Sequence, residues 1–259
     1  MIKALFTAAT GMRAQQTRID VISNNLANVN TTGFKKSLAS FEDLIYTTPQ
    51  DATPASGAIS RPTALQVGSG ARLVSTTKVF TPGQLEETGQ PLDLVIGGPG
   101  FFKLTDINNN TVYSRDGNFK VDADGNVVNS AGLRLAPALT VPAGADVTVG
   151  PDGQVFARVG DEAQSQIGQI ELANFPNPAG LEAIGSNILR ETEASGAAIS
   201  ANPGLDGLGR LQSGYLERSN VDVVSELVGL IIAQRAYETN SRAISAVDEM
   251  LTTVNQIVR

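Results

Sequence analysis

The 259-residue chain has no cysteine, no histidine and no tryptophan, and aromatic residues make up only 5% of it. The first two absences remove disulfides, zinc clusters, thiol nucleophiles and every imidazole-based acid–base mechanism. Basic residues number 19 against 26 acidic, a formal charge of −7. That sign argues against a binder of nucleic acid or of an anionic membrane, since both need a net basic face to displace counterions. No run of about eighteen apolar residues occurs, so no helical span of a bilayer is expected. The opening residues MIKALFTAA carry a short apolar stretch after one lysine. They lack a clear cleavage site and run on into a periodic pattern, so a cleaved secretory signal is not expected. What remains is 41% hydrophobic with 26 glycines and 12 prolines, enough for a packed core with many turns but few large side chains.

The two ends read as helices and the middle as sheet, an α+β chain. At the N-terminus Ile2, Leu5, Ala9, Met12, Gln16, Ile19, Ser23 and Leu26 follow alternating spacings of three and four, a heptad seam with polar interruptions. The pattern predicts a helix that stops at Gly33, preceded by Asn28, Asn30, Thr31 and Thr32, which favour local side-chain bonds over further helix. At the C-terminus Leu230, Ala233, Tyr237, Asn240, Ile244, Val247, Leu251, Val254 and Val258 repeat the spacing without a slip. The row formed by Arg235, Glu238, Arg242, Ser245, Glu249, Thr252 and Gln256 is wholly polar and falls on the opposite face. A helix over 221–258, capped by Ser219 or Asp222, would be roughly 55 Å long. Between the ends, strands are predicted over 72–80, 92–96, 101–104, 111–115, 147–149, 154–159 and 166–175. Asp116-Gly117, Asp124-Gly125 and Asp152-Gly153 sit between apolar runs as hairpin turns do. The stretch 47–70, TTPQDATPASGAISRPTALQVGSG, reads as an extended linker or contact arm.

Candidate chemistry is thin. Asp122-Ala123-Asp124-Gly125-Asn126 lacks the later glycine and the terminal glutamate of a calcium loop, so a hairpin turn is the better reading. Gly97-Gly98-Pro99-Gly100 precedes Phe101-Phe102 rather than a lysine and a hydroxyl residue, so it is read as a strand entry and not as a phosphate loop. Glu86, Glu87 and Asp93 are expected to be solvated charges rather than a catalytic pair. Asn24, Asn25 and Asn28 lower helix propensity, a loss tolerated where the amides bond across to another segment. Gln234, Arg235, Tyr237, Glu238 and Asn240 stand in the same relation to the C-terminal seam, where long polar residues set register and partner. A small β domain closed by its own strands cannot cover two long apolar stripes, so the helices must bury them on each other or on neighbouring subunits.

Residues 21–35, VISNNLANVNTTGFK, are similar to the N-terminal signature of bacterial flagellar rod and hook axial proteins. Residues 219–223, SNVDV, with Glu226-Leu227-Val228 and 234–238, QRAYE, resemble the signature at the family's other end. Gly100-Phe101-Phe102 and 113–119, YSRDGNF, match between them, so the resemblance covers nearly the whole chain. Within the family, 41–46, FEDLIY, 240–244, NSRAI, and 248–251, DEML, are similar to rod subunits of medium length, those of the distal rod first among them. The hook subunit carries a further outer domain for which this chain has no room.

The resemblance implies a structural subunit of a helical tube in the periplasm-spanning rod of the basal body, not an enzyme, with no cofactor and no metal. It implies assembly with copies of itself, with proximal rod subunits and with hook or hook-junction proteins, inside surrounding ring bushings. Export would be through the flagellar type III apparatus; no nucleic acid and no membrane insertion are implied. The implied organisation is a terminal-helix core of 1–30 with 221–259, an intermediate connector of 31–85 with 197–220, and an outer β domain of 86–196. The expected subunit interface comprises Leu5, Met12, Ile19, Ile22, Asn24, Asn25, Leu26 and Asn28 on the first helix. On the second it comprises Leu230, Gln234, Arg235, Tyr237, Asn240, Ile244, Val247, Leu251 and Val254. Another medium-length rod subunit is the nearest alternative, and a glycan-binding module using Phe101 or Tyr113 the next.

Overall fold

The computed structural model describes residues 2–50, 64–160 and 163–257. These form two compact units. Met1–Leu26, Ser37–Thr77 and Asp222–Arg259 make a helical unit, and Ala27–Lys36 with Lys78–Val221 make a β unit. Two long terminal helices with antiparallel sheets between them in sequence give the α+β class the periodicities predict. The segments expected to form a separate connector are divided between these two units.

In the helical unit α1 spans Ile2–Ala27 and α2 spans Val223–Ile257. The first helix ends well before Gly33, a correction to the expected stop. The chain turns at Asn28, whose carbonyl accepts the Thr31 N–H at 3.2 Å and whose side-chain oxygen accepts the Thr31 hydroxyl at 3.1 Å. Gly33 has φ of +66° for a different reason: a Cβ there would lie 2.6 Å from the Asp116 amide nitrogen. Asp222 caps α2, accepting the Val224 N–H at 3.2 Å and the Ser225 hydroxyl at 2.6 Å. Ser219 instead accepts the Val221 N–H.

The helices are in contact and antiparallel. Gly11 faces Asn240, Ile22 faces Gly229 and Asn25 faces Glu226, so residue numbers fall on one helix as they rise on the other. Glycine at positions 11 and 229 is what lets the partner side chain approach: a Cβ on Gly11 would stand 3.0 Å from the Asn240 amide nitrogen. The inward row of α1 runs Leu5, Ala8, Met12, Gln15, Ile19, Ile22 and Leu26, all buried or half-buried. Ala9, Gln16 and Ser23 are exposed, so alternate positions of the predicted seam move by one residue. Seating Ile22 rather than Ser23 buries far more apolar surface. The unit is completed by a ribbon. Ser37–Asp43 pairs with Ala71–Lys78, and Tyr46–Gln50 pairs antiparallel with Leu65–Gly68, Tyr46 opposite Gly68. Much of the 47–70 stretch, residues 51–63, lies outside the described residues.

The β unit is built on the strand Phe101–Thr105, which pairs antiparallel with Thr111–Ser114, Arg134–Leu135 and Leu172–Asn174. Its alternating faces feed two cores. Phe102 and Leu104 enter the larger one with Leu94, Leu135, Ile170, Leu172 and Leu211, while Phe101 joins Tyr113, Phe175, Leu181 and Leu189. The scarce aromatics are concentrated here in edge-to-face pairs, Tyr113–Phe175 at 4.8 Å and Phe102–Phe119 at 5.1 Å between ring centres. A three-stranded sheet of Ala145–Val149, Gln154–Val159 and Ser165–Gln169 packs Val147, Val149 and Val155 on the larger core.

Two of the expected hairpins form, at Asp124-Gly125 and Asp152-Gly153, each glycine with φ of +82°. The third does not. Thr111–Ser114 and Phe119–Val121 have different partners, and Asp116-Gly117 instead bends the chain against Leu94, whose N–H donates to the Gly117 carbonyl at 3.0 Å. The run predicted as one strand over 166–175 is broken at Ile170, which is buried and donates its N–H to Gly153 as the chain crosses between sheets.

A Cβ on Gly117 would stand 1.7 Å from the Leu94 carbonyl oxygen. Gly117→Ala is therefore expected to destabilise the β unit by at least about 3 kcal/mol, read as a lowered urea midpoint by near-ultraviolet circular dichroism.

Candidate subunit-assembly surface

The expected interface residues fall into three groups. Ile22, Asn25 and Val247 are buried inside the helical unit. Leu5, Met12, Ile19, Leu26, Asn28, Leu230, Asn240, Ile244 and Leu251 are half-buried, and Asn24, Gln234, Arg235, Tyr237 and Val254 are exposed. The Asn25 amide resolves the question the asparagine cluster posed. Its oxygen accepts the Ser37 N–H at 2.9 Å, and its nitrogen donates to the Ser37 carbonyl at 2.9 Å and to Glu226 Oε2 at 3.3 Å. It thus stands in for a neighbouring strand at the start of Ser37–Asp43 and ties both helices to the ribbon.

The two units treat apolar surface in opposite ways. Among the described residues the helical unit fully buries four hydrophobic side chains, Ala14, Ile22, Ala233 and Val247, while 18 large ones stay exposed. The β unit buries 29 and exposes seven. In the N-terminal half of α2 Val224 (70%), Leu227, Val228, Ile231 and Ile232 form an exposed stripe on the side of the helix away from the predicted seam. Sequence reasoning missed this second stripe because a scan for one 3,4 row does not register a helix that is apolar around most of its circumference. The run VVSELVGLII was the available signal. On α1 and the ribbon Phe6, Leu38, Ile45, Leu73 and Val74 are exposed. Two grooves open here, one of about 590 Å³ lined by Phe6, Ala9, Ala14, Leu44 and Leu73, the other of about 380 Å³ beside Ile22, Leu38 and Phe41. Charge is divided as well. The helical unit has 8 basic and 9 acidic residues, the β unit 11 and 17.

Sequence analysis also passed over a buried charged centre in the β unit. Lys35, Arg115 and Glu217 are each at most 6% exposed. Glu217 Oε1 accepts Lys35 Nζ at 2.7 Å and the Gly83 N–H at 2.9 Å, and Oε2 accepts Arg115 Nε at 3.2 Å. The excess positive charge faces carbonyls: Lys35 donates to Thr81 at 2.7 Å, and Arg115 donates to Gly98 at 2.7 Å and to Gly100. Burial lowers the pKa of both cations, and Glu217 opposes the shift in each. The signal lay in charged residues set among apolar and glycine neighbours, as in Gly33-Phe34-Lys35 and Leu216-Glu217.

The Asp122–Asn126 segment is a hairpin turn closed by the Asp122 N–H on the Asn126 carbonyl. Glu86 and Glu87 are exposed, as expected of solvated charges, and Glu86 lies 3.7 Å from Arg218. Asp93 is a correction: expected to be solvated, it is buried, because its backbone is held inside by its N–H on the Gln90 carbonyl at 3.1 Å and by its own carbonyl accepting the Gly214 N–H at 2.8 Å. Among the described residues no cluster of His, Cys, Asp and Glu could hold a metal ion, and no helix is long and apolar enough to cross a membrane. Phe101 and Tyr113 are buried, so neither offers a ring to a sugar, and burial pushes the Tyr113 hydroxyl up to about 12.

Comparison with known proteins locates three family regions. Residues 5–35 match the description "Flagella basal body rod protein", residues 95–157 "Flagellar hook protein FlgE/F/G D1 domain" and residues 212–257 "Flagellar basal body rod FlgEFG protein C-terminal". The chain is 45% identical to the flagellar basal-body rod protein FlgG of Borreliella burgdorferi across the full length of both. It is likewise 45% identical to FlgG of Caulobacter vibrioides over 99% of each chain. It is 24% identical to the flagellar hook protein FlgE of Salmonella typhimurium over 95% of this chain and 98% of that one, in an alignment stretched by gaps to 411 positions.

Asn25→Ala strips three hydrogen bonds from a buried site and is expected to cost about 2 to 3 kcal/mol in the helical unit, whereas Gln16→Ala, on the exposed side of α1, should cost under about 0.5 kcal/mol. Helical ellipticity during thermal unfolding separates the two. Asp116 gives a pH signature: burial, and secondarily Asp93, raises its pKa, while hydrogen bonds from Asn118 and Thr32 oppose the rise. A raised folded pKa means its favourable contribution is complete below the ordinary value of 3.8 and is lost as pH climbs through the folded value. The stability of Asp116→Asn relative to the parent should therefore improve between pH 4 and pH 7, measured by urea unfolding at each.

Proposed function

Because the chain belongs to the flagellar basal-body rod protein family, we propose that it is the structural subunit of the distal rod. Copies polymerise through their terminal helices into a stiff tube that transmits torque and encloses the export path. Membership of the family makes it a structural protein of the basal-body rod that assembles with other rod and hook subunits. The finer partners belong to the proposal: proximal rod subunits on one side, hook or hook-junction proteins on the other, ring bushings outside, and the flagellar type III apparatus for delivery.

One observation carries this reading. Among the described residues the helical unit leaves 18 large hydrophobic side chains exposed and fully buries four hydrophobic ones. At about 25 cal/mol per Å² such a surface is a strong drive to associate. Its near-balance of charge leaves little self-repulsion to oppose stacking. The β unit, with its apolar residues inside and its acidic excess, suits the outer wall.

The test is Ile231→Asp. Ile231 is 52% exposed in the single subunit, so the variant should fold normally, yet a charge in a dry seam between subunits costs several kcal/mol. Assembly by sedimentation and motility in a strain lacking its own rod subunit should both be lost. Leu26→Asp and Leu251→Asp should abolish assembly too, with some loosening of the helix pair. Normal motility with Ile231→Asp would overturn the assignment of this face to assembly.

A further inference from the structure

The β unit is closed by its own last residues. The strand Leu94–Gly97 has a single partner, Arg210–Ser213, with Ile96 opposite Leu211, and Leu85–Glu87 has a single partner, Tyr215–Glu217. Leu208 and Leu211 belong to the main core, and the carbonyl of Glu217 accepts the Gly33 N–H at 2.8 Å. Asn220 accepts the Lys36 N–H at 2.8 Å and donates to the Val79 carbonyl at 2.8 Å. One late segment thus supplies the strand partner, the apolar cover and the carboxylate that pairs with Lys35 and Arg115 for stretches that precede it by more than a hundred residues. Without it Lys35 and Arg115 would be two buried cations with no counter-charge, and two strands would lose all their pairing.

We infer that residues 208–221 are a latch, clasped by Glu217 between Lys35 and Arg115, and that the β unit has no stable closed state until this latch docks. A chain that emerges N-terminus first therefore keeps the unit open until Val221 has appeared. Those residues carry α2, so the β unit closes at the moment the second assembly helix is about to appear. Emergence from a ribosome is enough for this order, and the inference stands apart from the rod reading.

The chain has no cysteine, so single thiols report cleanly. Ser219→Cys places a probe in the latch, and Ala173→Cys places one in the central sheet at a fully buried position of the strand Leu172–Asn174. Full-length proteins are exposed to a thiol reagent under native conditions. If the latch and the unit open together, the two probes label at rates within about threefold of each other. Adding Glu217→Gln should accelerate both by about a hundredfold, while Glu182→Gln, at the exposed pair with Arg190, changes neither. Faster labelling of Ser219→Cys beyond that margin, or acceleration confined to it, would show that the unit stays closed without its latch and would overturn the inference. Should Glu217→Gln not fold, the comparison of the two probes in the parent decides alone.

Discussion

A helix that is apolar around most of its circumference cannot be satisfied by one partner helix. The N-terminal half of α2 is such a helix. One side meets α1 through Gly229 and Glu226, and the other presents Val224, Leu227, Val228, Ile231 and Ile232 to the surface. In a single subunit those side chains stay 42% to 70% exposed, and a chain with this surface is stable against aggregation only if copies meet in a defined way. The rest of the helical unit follows from accommodating this constraint. Glycines at positions 11 and 229 bring the helices close, Asn25 fastens the ribbon to both, and charge is held near balance.

The β unit solves the opposite problem. Its apolar residues are inside, and its surface carries most of the acidic excess. What needs explaining there is how segments far apart in sequence are held in one fold. The answer is electrostatic: a carboxylate from the end of the unit bridges one cation from its beginning and another from its middle, and backbone carbonyls take up the remaining donors. Such a centre adds little over a well-packed apolar substitute, but removing one member leaves uncompensated charge in the interior. It therefore specifies which segments must come together more than it adds to stability.

Much of this was legible in the sequence. The two terminal helices, most central strands and two of three Asp-Gly hairpins followed from periodicity and turn chemistry. The failures have physical causes. Gly33 reads as a helix stop but serves a close backbone approach to Asp116, and Gly117 reads as a hairpin but serves one to Leu94. In each case a neighbour distant in sequence dictates the glycine, and no local pattern reveals it. The seam of α1 was placed one residue off at alternate positions because polar Gln15 and Gln16 give no guidance and Ile22 and Ser23 were weighed by spacing rather than size. Lys35, Arg115 and Glu217 were invisible because a buried ion centre has no sequence period; only their apolar and glycine surroundings hinted at it.

The central claim is that α2 completes its burial only between copies of the chain. A helical reconstruction of the assembled polymer at side-chain detail tests it most directly. The account predicts Val224, Leu227, Val228, Ile231 and Ile232 packed against helices of neighbouring subunits, with the β unit's charged surface left outside. A polymer held together by β-unit contacts, with those five side chains still facing water, would contradict it.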